Sequence, residues 1–248
     1  MSVLAEDLRR AIDPPALAES VGVKLHRWQK KLIRSNDRRI ALVAPRGAGK
    51  SLALSILGLH QALYRPQSIS LVLSASENQA RICFDYAARA YRRMSEPVAA
   101  DAFNKRSLEL SNGSRFFVVA ASAHTARGYH SDVLRLDEAA FIDEAVIEAI
   151  LPSIAVTEGR IVLSSTPNGK RGTFASIFLG SDPAWSRWKI TPEESGIRQE
   201  AIEEFARLKG EDLARQEFGC EFLDSDRQAF ASDWIDRALE KRIEPWKL

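Results

Sequence analysis

The sequence is short of cysteine, of histidine and of charge of either sign in excess, and each shortage removes a class of function. Its two cysteines, Cys83 and Cys220, lie far apart, and no Cys-x-x-Cys or Cys/His ligand spacing surrounds them. A structural zinc site and a disulfide framework are therefore not expected, and both thiols read as small buried apolar groups. Lys and Arg total 35 against 33 Asp and Glu, a formal net charge of +2. That balance excludes a histone-like polycation, so nucleic-acid binding must come from local patches. Long apolar runs are also missing near the N-terminus, where Glu6, Asp7, Arg9 and Arg10 stand. No signal peptide or membrane span is expected, and the expected compartment is the cytoplasm. Nothing repeats. At 248 residues the chain has no room for two complete nucleotide-binding domains of roughly 150–200 residues each.

What is present is an alternation of buried strands and helices. Arg39-Ile-Ala-Leu-Val-Ala44 is an almost continuous apolar run and reads as a strand covered on both faces. Residues 52–63 are apolar and long enough for a helix, which Pro66 ends. A second strand spans 70–74. Ala80, Phe84, Ala87, Tyr91 and Met94 put one stripe on a helix over 77–94. Asn112-Gly113 between two apolar runs signals a hairpin. Further strands are expected over 132–137, where Arg135 costs one buried position, and over 160–164. Between them a helix over 143–151 should stop at Pro152. This pattern predicts an α/β fold with a mostly parallel central sheet flanked by helices. After about residue 180 the pattern changes to a possible strand over 185–190 and two amphipathic helices, 199–209 and 211–218. Ala201, Ile202, Phe205 and Leu208 mark the apolar face of the first. The expected division is a core over 1–178, a small mainly helical lid over 179–230 and a C-terminal helix or linker over 231–248.

Three motifs carry chemistry. Ala44-Pro-Arg-Gly-Ala-Gly-Lys-Ser51 follows the P-loop pattern GxxxxGK[ST] with alanine in place of the first glycine. In such a loop the backbone N–H groups around Arg46, Gly47, Ala48 and Gly49 cradle phosphate at a helix N-terminus. Lys50 reaches the β- and γ-phosphates of ATP, and the Ser51 hydroxyl is a ligand for Mg²⁺. A P-loop needs a carboxylate from another strand, and Asp137, ending the 132–137 run, is the candidate second metal ligand. Glu138 follows directly and is placed to polarise an attacking water. Ser164-Ser-Thr166 ends the next strand. Its hydroxyls, Thr166 in particular, suit a sensor of the γ-phosphate.

In this order and spacing the three motifs resemble the ATPase domain of the large terminase subunit of tailed bacteriophages. The resemblance extends over about residues 25–224 and includes Trp28-Gln29, Arg46, Leu136-Asp-Glu-Ala-Ala-Phe141, Ser164-Ser-Thr-Pro-Asn-Gly169 and Glu217-Phe-Gly-Cys-Glu-Phe222. It implies a P-loop NTPase fold of the additional-strand, catalytic-glutamate type. It also implies a Mg²⁺-dependent ATPase that drives double-stranded DNA into a procapsid of the infected cell as a homo-oligomeric ring. The portal protein and the small terminase subunit would be its partners, and no membrane is involved. Trp28 and Gln29 would form the adenine-recognition element, with Gln29 bonding the base. Arg46 would contact phosphate, Thr166 with Ser165 would couple hydrolysis to DNA movement, and Arg127 would be an arginine finger offered to a neighbour's ATP. Two other readings are a fragment of a DEAD-box-like helicase and a nucleotide-dependent assembly protein without turnover.

The family's full-length chain carries a nuclease domain that needs several converging carboxylates. Asp224, Asp226, Asp233 and Asp236 do not lie on a run of buried strands, so nuclease activity is not expected of this sequence. Basic clusters at Lys24 to Arg39, at Arg89, Arg92 and Arg93, at Lys105 and Arg106, and at Lys170 and Arg171 are candidate DNA-phosphate contacts.

Overall fold

A computed structural model describes residues 3–122, 131–157 and 159–224 of the chain. Within them a single eight-stranded sheet forms, comprising β1 (Arg39–Val43), β2 (Ile69–Ser74), β3 (Ala100–Phe103), β4 (Ser107–Leu110), β5 (Arg115–Ala120), β6 (Val133–Asp137), β7 (Arg160–Ser165) and β8 (Ser186–Lys189). The spatial order is β3-β4-β5-β2-β6-β7-β1-β8. Six strands run parallel, and β4 pairs antiparallel with both β3 and β5 at one edge. β6 and β7 are inserted between β1 and β2, with β7 against β1. This is the order that the additional-strand type requires, and it brings the ends of β1, β7 and β6 side by side.

Strand side chains alternate between two cores, one on each face. Ile40, Leu42, Val72 and Val162 belong to the first, while Ala41, Val43, Leu71, Leu73, Leu134, Leu136 and Leu163 belong to the second. The first core is covered by α2 (Pro14–Ser20), α3 (Arg27–Arg34), α4 (Lys50–Tyr64) and α5 (Glu77–Arg93), and α1 (Val3–Ile12) packs on α2. The expected stripe on α5 is buried from Ala80 to Met94. α1 turns Leu4, Leu8 and Ile12 outward. The hairpin at Asn112-Gly113 forms between β4 and β5, with Gly113 at φ +79°.

Four expectations change. The helix expected to stop at Pro152 runs on as Glu144–Thr157. Pro152 sits on its exposed side, while Ile150 and Ile154 on either side are buried against the sheet, and that packing offsets the lost backbone bond. Arg135 does not remove a buried position from β6, because it is itself 1% exposed. Its guanidinium donates to Ser70 Oγ (2.7 Å) and Gln61 Oε1 (2.8 Å), and burial, with nearby Arg160, pushes its pKa down to about 9. β8 falls beyond the boundary expected at residue 178, yet it pairs with β1 in the main sheet, since backbone bonds to a central strand outweigh its weak apolar pattern. Lastly, the helix Gln199–Lys209 has no buried residue, and Leu208 on its apolar face is 73% exposed. The tail over 231–248 lies outside the described residues, as do Asp226, Asp233 and Asp236.

α4 approaches β5 closely because residue 58 is glycine. A Cβ there would stand 2.4 Å from Cε2 of the fully buried Phe116 ring, which is itself stacked on Phe84. Gly58→Ala gains about 1 kcal/mol of helix propensity but overpacks this contact, a cost of about 1–3 kcal/mol. The ring has no space to yield, so the variant should be less stable than wild type in urea denaturation. Increased stability would show that α4 can shift.

Candidate active site

The site is assembled at the C-terminal ends of β1, β6 and β7, beneath the N-terminus of α4. β1 leads into the P-loop. Ala44 is fully buried and donates its N–H to Ser165 O (3.2 Å), which fastens the loop's start to β7. Gly47 (φ +79°) and Gly49 (φ +87°) take left-handed backbone that other residues rarely adopt. Gly49 is doubly required, because a Cβ there would meet Gln29 Nε2 at 2.5 Å.

Lys50 is buried, with its ammonium among Ala44 O (3.1 Å), Pro45 O (3.3 Å) and Glu138 Oε1 (3.3 Å). Ser51 donates to Asp137 Oδ2 at 2.6 Å. The same carboxylate accepts from Cys83 Sγ (3.2 Å) and from Ser164 Oγ (3.3 Å). Asp137 is thus held by neutral donors from α4, α5 and β7, and burial pushes its pKa upward against those bonds. Glu138 directly follows β6 at φ +56°, left-handed backbone that residues other than glycine rarely adopt and that clusters at functional positions. Its other oxygen, Oε2, accepts from Ser165 Oγ (3.2 Å) and Thr166 N (3.1 Å). Lys50, Ser51, Asp137, Glu138 and Thr166, each expected at the site, therefore stand together in two adjacent bonded sets, one around Asp137 and one around Glu138.

Other expected residues stand apart from them. Trp28 is buried in the first core. Gln29 is buried beneath the P-loop, with both ends of its amide used inside the chain: Oε1 accepts from His26 N (2.7 Å) and Nε2 donates to Gly49 O (2.9 Å). It ties α3 to the loop, a job that reading the motif did not assign. The Arg46 side chain is 71% exposed and leans toward Glu217 Oε2 at 3.8 Å, and the Arg46 backbone N–H donates to Glu217 O (2.8 Å). Arg127 lies outside the described residues.

The sequence reading missed two neighbours of these sets. From the sequence Cys83 reads only as a small apolar group. Its position three residues after Ala80 and four before Ala87 put it on the buried face of α5, and that spacing was the available signal. Burial and the Asp137 carboxylate push its thiol pKa up. Glu217, which in the sequence stands out only within the Glu217–Phe222 segment, is buried beside the loop. Burial raises its pKa, Arg46 and Lys50 oppose the rise, and Glu138 adds to it.

The raised pKa of Asp137 has a stability consequence. Between the ordinary carboxylate value and its raised value, the folded protein binds more protons than the unfolded chain. Stability therefore falls as pH rises through that window. Asp137→Asn keeps an acceptor for Ser51 without the buried charge. It should melt above wild type at neutral pH and lose this part of the pH dependence when midpoints are followed from about pH 4 to about pH 8. A variant melting well below wild type at neutral pH would contradict the assignment of burial as the dominant influence.

The chain has relatives among phage large terminase subunits. Residues 41–237 match the family described as terminase large subunit, T4likevirus-type, N-terminal. Large terminase subunits of Thermus phage G20c and Thermus virus P23-45 are each 28% identical over 86% of the chain. The chain spans about half the length of these curated relatives, 52% of each. Among solved structures, the large terminase ATPase domain of Thermus phage P74-26 superposes with a TM-score of 0.69 at 25% identity, and an arginine-to-alanine variant of it with 0.72 at 27%. Each match covers 83% of this chain and 97% of that one. By motif order, strand order and matched length, the chain belongs to the terminase large-subunit family and corresponds to its N-terminal part.

Proposed function

We propose that the chain is the ATP-hydrolysing part of a DNA-packaging motor. The observation that carries this reading is the pair of bonded sets in which Ser51 meets Asp137 and Lys50 meets Glu138, uniting the P-loop with the end of β6. Ser51 Oγ and Asp137 Oδ2 form a pair of hard oxygen donors 2.6 Å apart, a donor set that suits Mg²⁺. The buried carboxylate otherwise has only neutral hydrogen-bond donors around it. These two residues would hold the ion, which neutralises phosphate charge when bound.

The remaining chemistry belongs to the chain. The loop backbone and Lys50 bind the triphosphate. Glu138 accepts a proton from water and polarises it for attack, while Ser165 Oγ and Thr166 N–H hold its carboxylate in place. Because Glu138 bonds both Lys50 and the β7 end, a phosphate that draws Lys50 away alters what holds Glu138. This supports a part for Thr166 and Ser165 in sensing the γ-phosphate. Arg46, bonded to Glu217, would report occupancy to the lid segment.

Glu138→Gln keeps the shape but cannot accept the proton. It should retain ATP binding and lose about 10²–10⁴-fold in turnover, whereas Lys50→Ala should weaken triphosphate binding itself. Steady-state hydrolysis with and without duplex DNA, together with nucleotide titration, measures both. Equal turnover of wild type and Glu138→Gln would remove Glu138 from the mechanism, and indifference to DNA would remove the motor reading.

Duplex DNA, further copies of the chain in a ring, the portal protein and the small terminase subunit are the proposed partners. Several basic residues expected at DNA are already engaged. Lys30 pairs with Glu19, Arg34 with Asp13, Arg106 with Glu77 and Lys170 with Asp224, while Lys24, Arg27, Arg89 and Arg93 are exposed.

Arg127 is proposed to act on a neighbour's nucleotide. Fingers of this kind contribute about 10³–10⁵-fold in rate. Arg127→Ala and Glu138→Ala should each be inactive alone and should recover part of the activity when mixed at assembling concentrations. If every mixing ratio stays inactive while wild-type activity is linear in concentration, Arg127 does not act across an interface.

A further inference from the structure

A cavity of about 390 Å³ lies at the end of the sheet opposite the P-loop. It opens where β6 and β7 begin and just ahead of β1, so a five-residue strand, about 16 Å, separates it from the loop. Arg38, Arg65, Arg135 and Arg160 line it, and among the described residues Asp132 is the one acid that does. The Asp132 carboxylate accepts the N–H of Ile69 at 2.7 Å. His60 adds no charge: burial pushes its pKa down, and its Nε2 is 3.0 Å from Arg10 O.

The hydrogen bonding here is incomplete in one direction. Arg135 reaches only neutral acceptors, Ser70 Oγ, Gln61 Oε1 and Leu57 O, and its buried Nε has no partner. Nε and Nη2 of Arg160 are also buried without a partner, and so is Nε2 of Gln61. All four orphaned atoms are donors. Asp37 acts on Arg160 electrostatically, but no carboxylate is hydrogen-bonded to either guanidinium among the described residues. Buried cationic donors without acceptors are costly, and a guanidinium fork matches the oxygens of an oxyanion.

We propose that this cavity binds a small phosphate-bearing anion, of pyrophosphate to mononucleotide size, through Arg135 and Arg160 and independently of the P-loop. Phosphate groups fit better than a single carboxylate because they carry more charge and more acceptor oxygens to set against two guanidinium groups. A discrete anion fits better than duplex DNA, because Arg135 is 1% exposed and out of reach of a duplex backbone. The paired rings of His60 and Tyr64, 4.9 Å apart, line one wall and offer a face for a base.

The test titrates pyrophosphate by calorimetry, in low-salt buffer without magnesium, into wild type, Lys50→Ala, Arg160→Gln and Arg65→Gln. Lys50→Ala should weaken phosphate binding at the P-loop. It should still bind pyrophosphate, and adding Arg160→Gln to it should weaken that binding at least about tenfold, the scale of one lost charge-assisted hydrogen bond. Arg65 is exposed at the rim. Its substitution in the Lys50→Ala background should weaken binding several-fold, and this arm decides the matter if Arg160→Gln fails to fold. Competition by AMP would identify a mononucleotide as the better occupant, and its failure would leave pyrophosphate. Loss of all pyrophosphate binding in Lys50→Ala, with full binding kept in Arg160→Gln, would assign the anion to the P-loop alone and overturn the proposal.

Discussion

The structure turns on the buried carboxylate of Asp137. Its two oxygens take hydrogen bonds from Ser51 on α4, Cys83 on α5 and Ser164 on β7. One charged group thereby registers two helices and an adjacent strand against the end of β6. Carboxylates are rarely left so deep without a cation. Burial raises its pKa here, and the neutral donors offset only part of that cost. Retaining such a group is understandable where a metal and a phosphate are to be handled. Glu138, one residue on, escapes full burial by turning into left-handed backbone, and so stands beside Lys50 rather than beneath it.

The same face of the sheet carries further buried polar side chains. Ser70, Ser74, Arg135, Asp137 and Ser164 all point toward α4 and α5, while Leu134, Leu136, Ile161 and Leu163 fill the opposite core. α4 runs along this polar vein. Its first turn meets Asp137 through Ser51, and its third and fourth turns meet Arg135 through Leu57 and Gln61. Ten residues of helix, about 15 Å, join the phosphate loop to the basic cavity at the far end. A negative group on β6 is matched by the loop end of the helix, and a positive group two residues earlier by its later carbonyl and amide.

Much of this was legible in the residues. The P-loop could be read because glycines at 47 and 49, a lysine and a hydroxyl have to occupy fixed offsets between a buried strand and a helix. The strand order is what the resemblance to the additional-strand type implies; the residues themselves show only that the Asp-Glu pair and the Ser-Ser-Thr run end separate strands. Other features were hidden because their cause is not local. Pro152 breaks helices in isolation, yet neighbouring isoleucines buried against the sheet keep this one going. Arg135 looked like an interruption because nothing in its own strand indicates that Ser70 and Gln61 supply acceptors. Gln29 could be assigned to a base by motif alone, and its bond to Gly49 O depends on where α3 docks.

By itself the sequence determined the alternation of strands and helices, the phosphate loop, and which residue types supply a lysine, two carboxylates and hydroxyls. Periodicity and spacing depend only on local backbone geometry, so they can be read along the chain. The tertiary structure decided what each polar group faces. It put Cys83 against Asp137, Glu217 beside Arg46, β8 in the main sheet, and two arginines with unmet donors around one cavity. Those outcomes depend on contacts between residues distant in sequence, where burial and partner geometry, rather than residue type, set the energy.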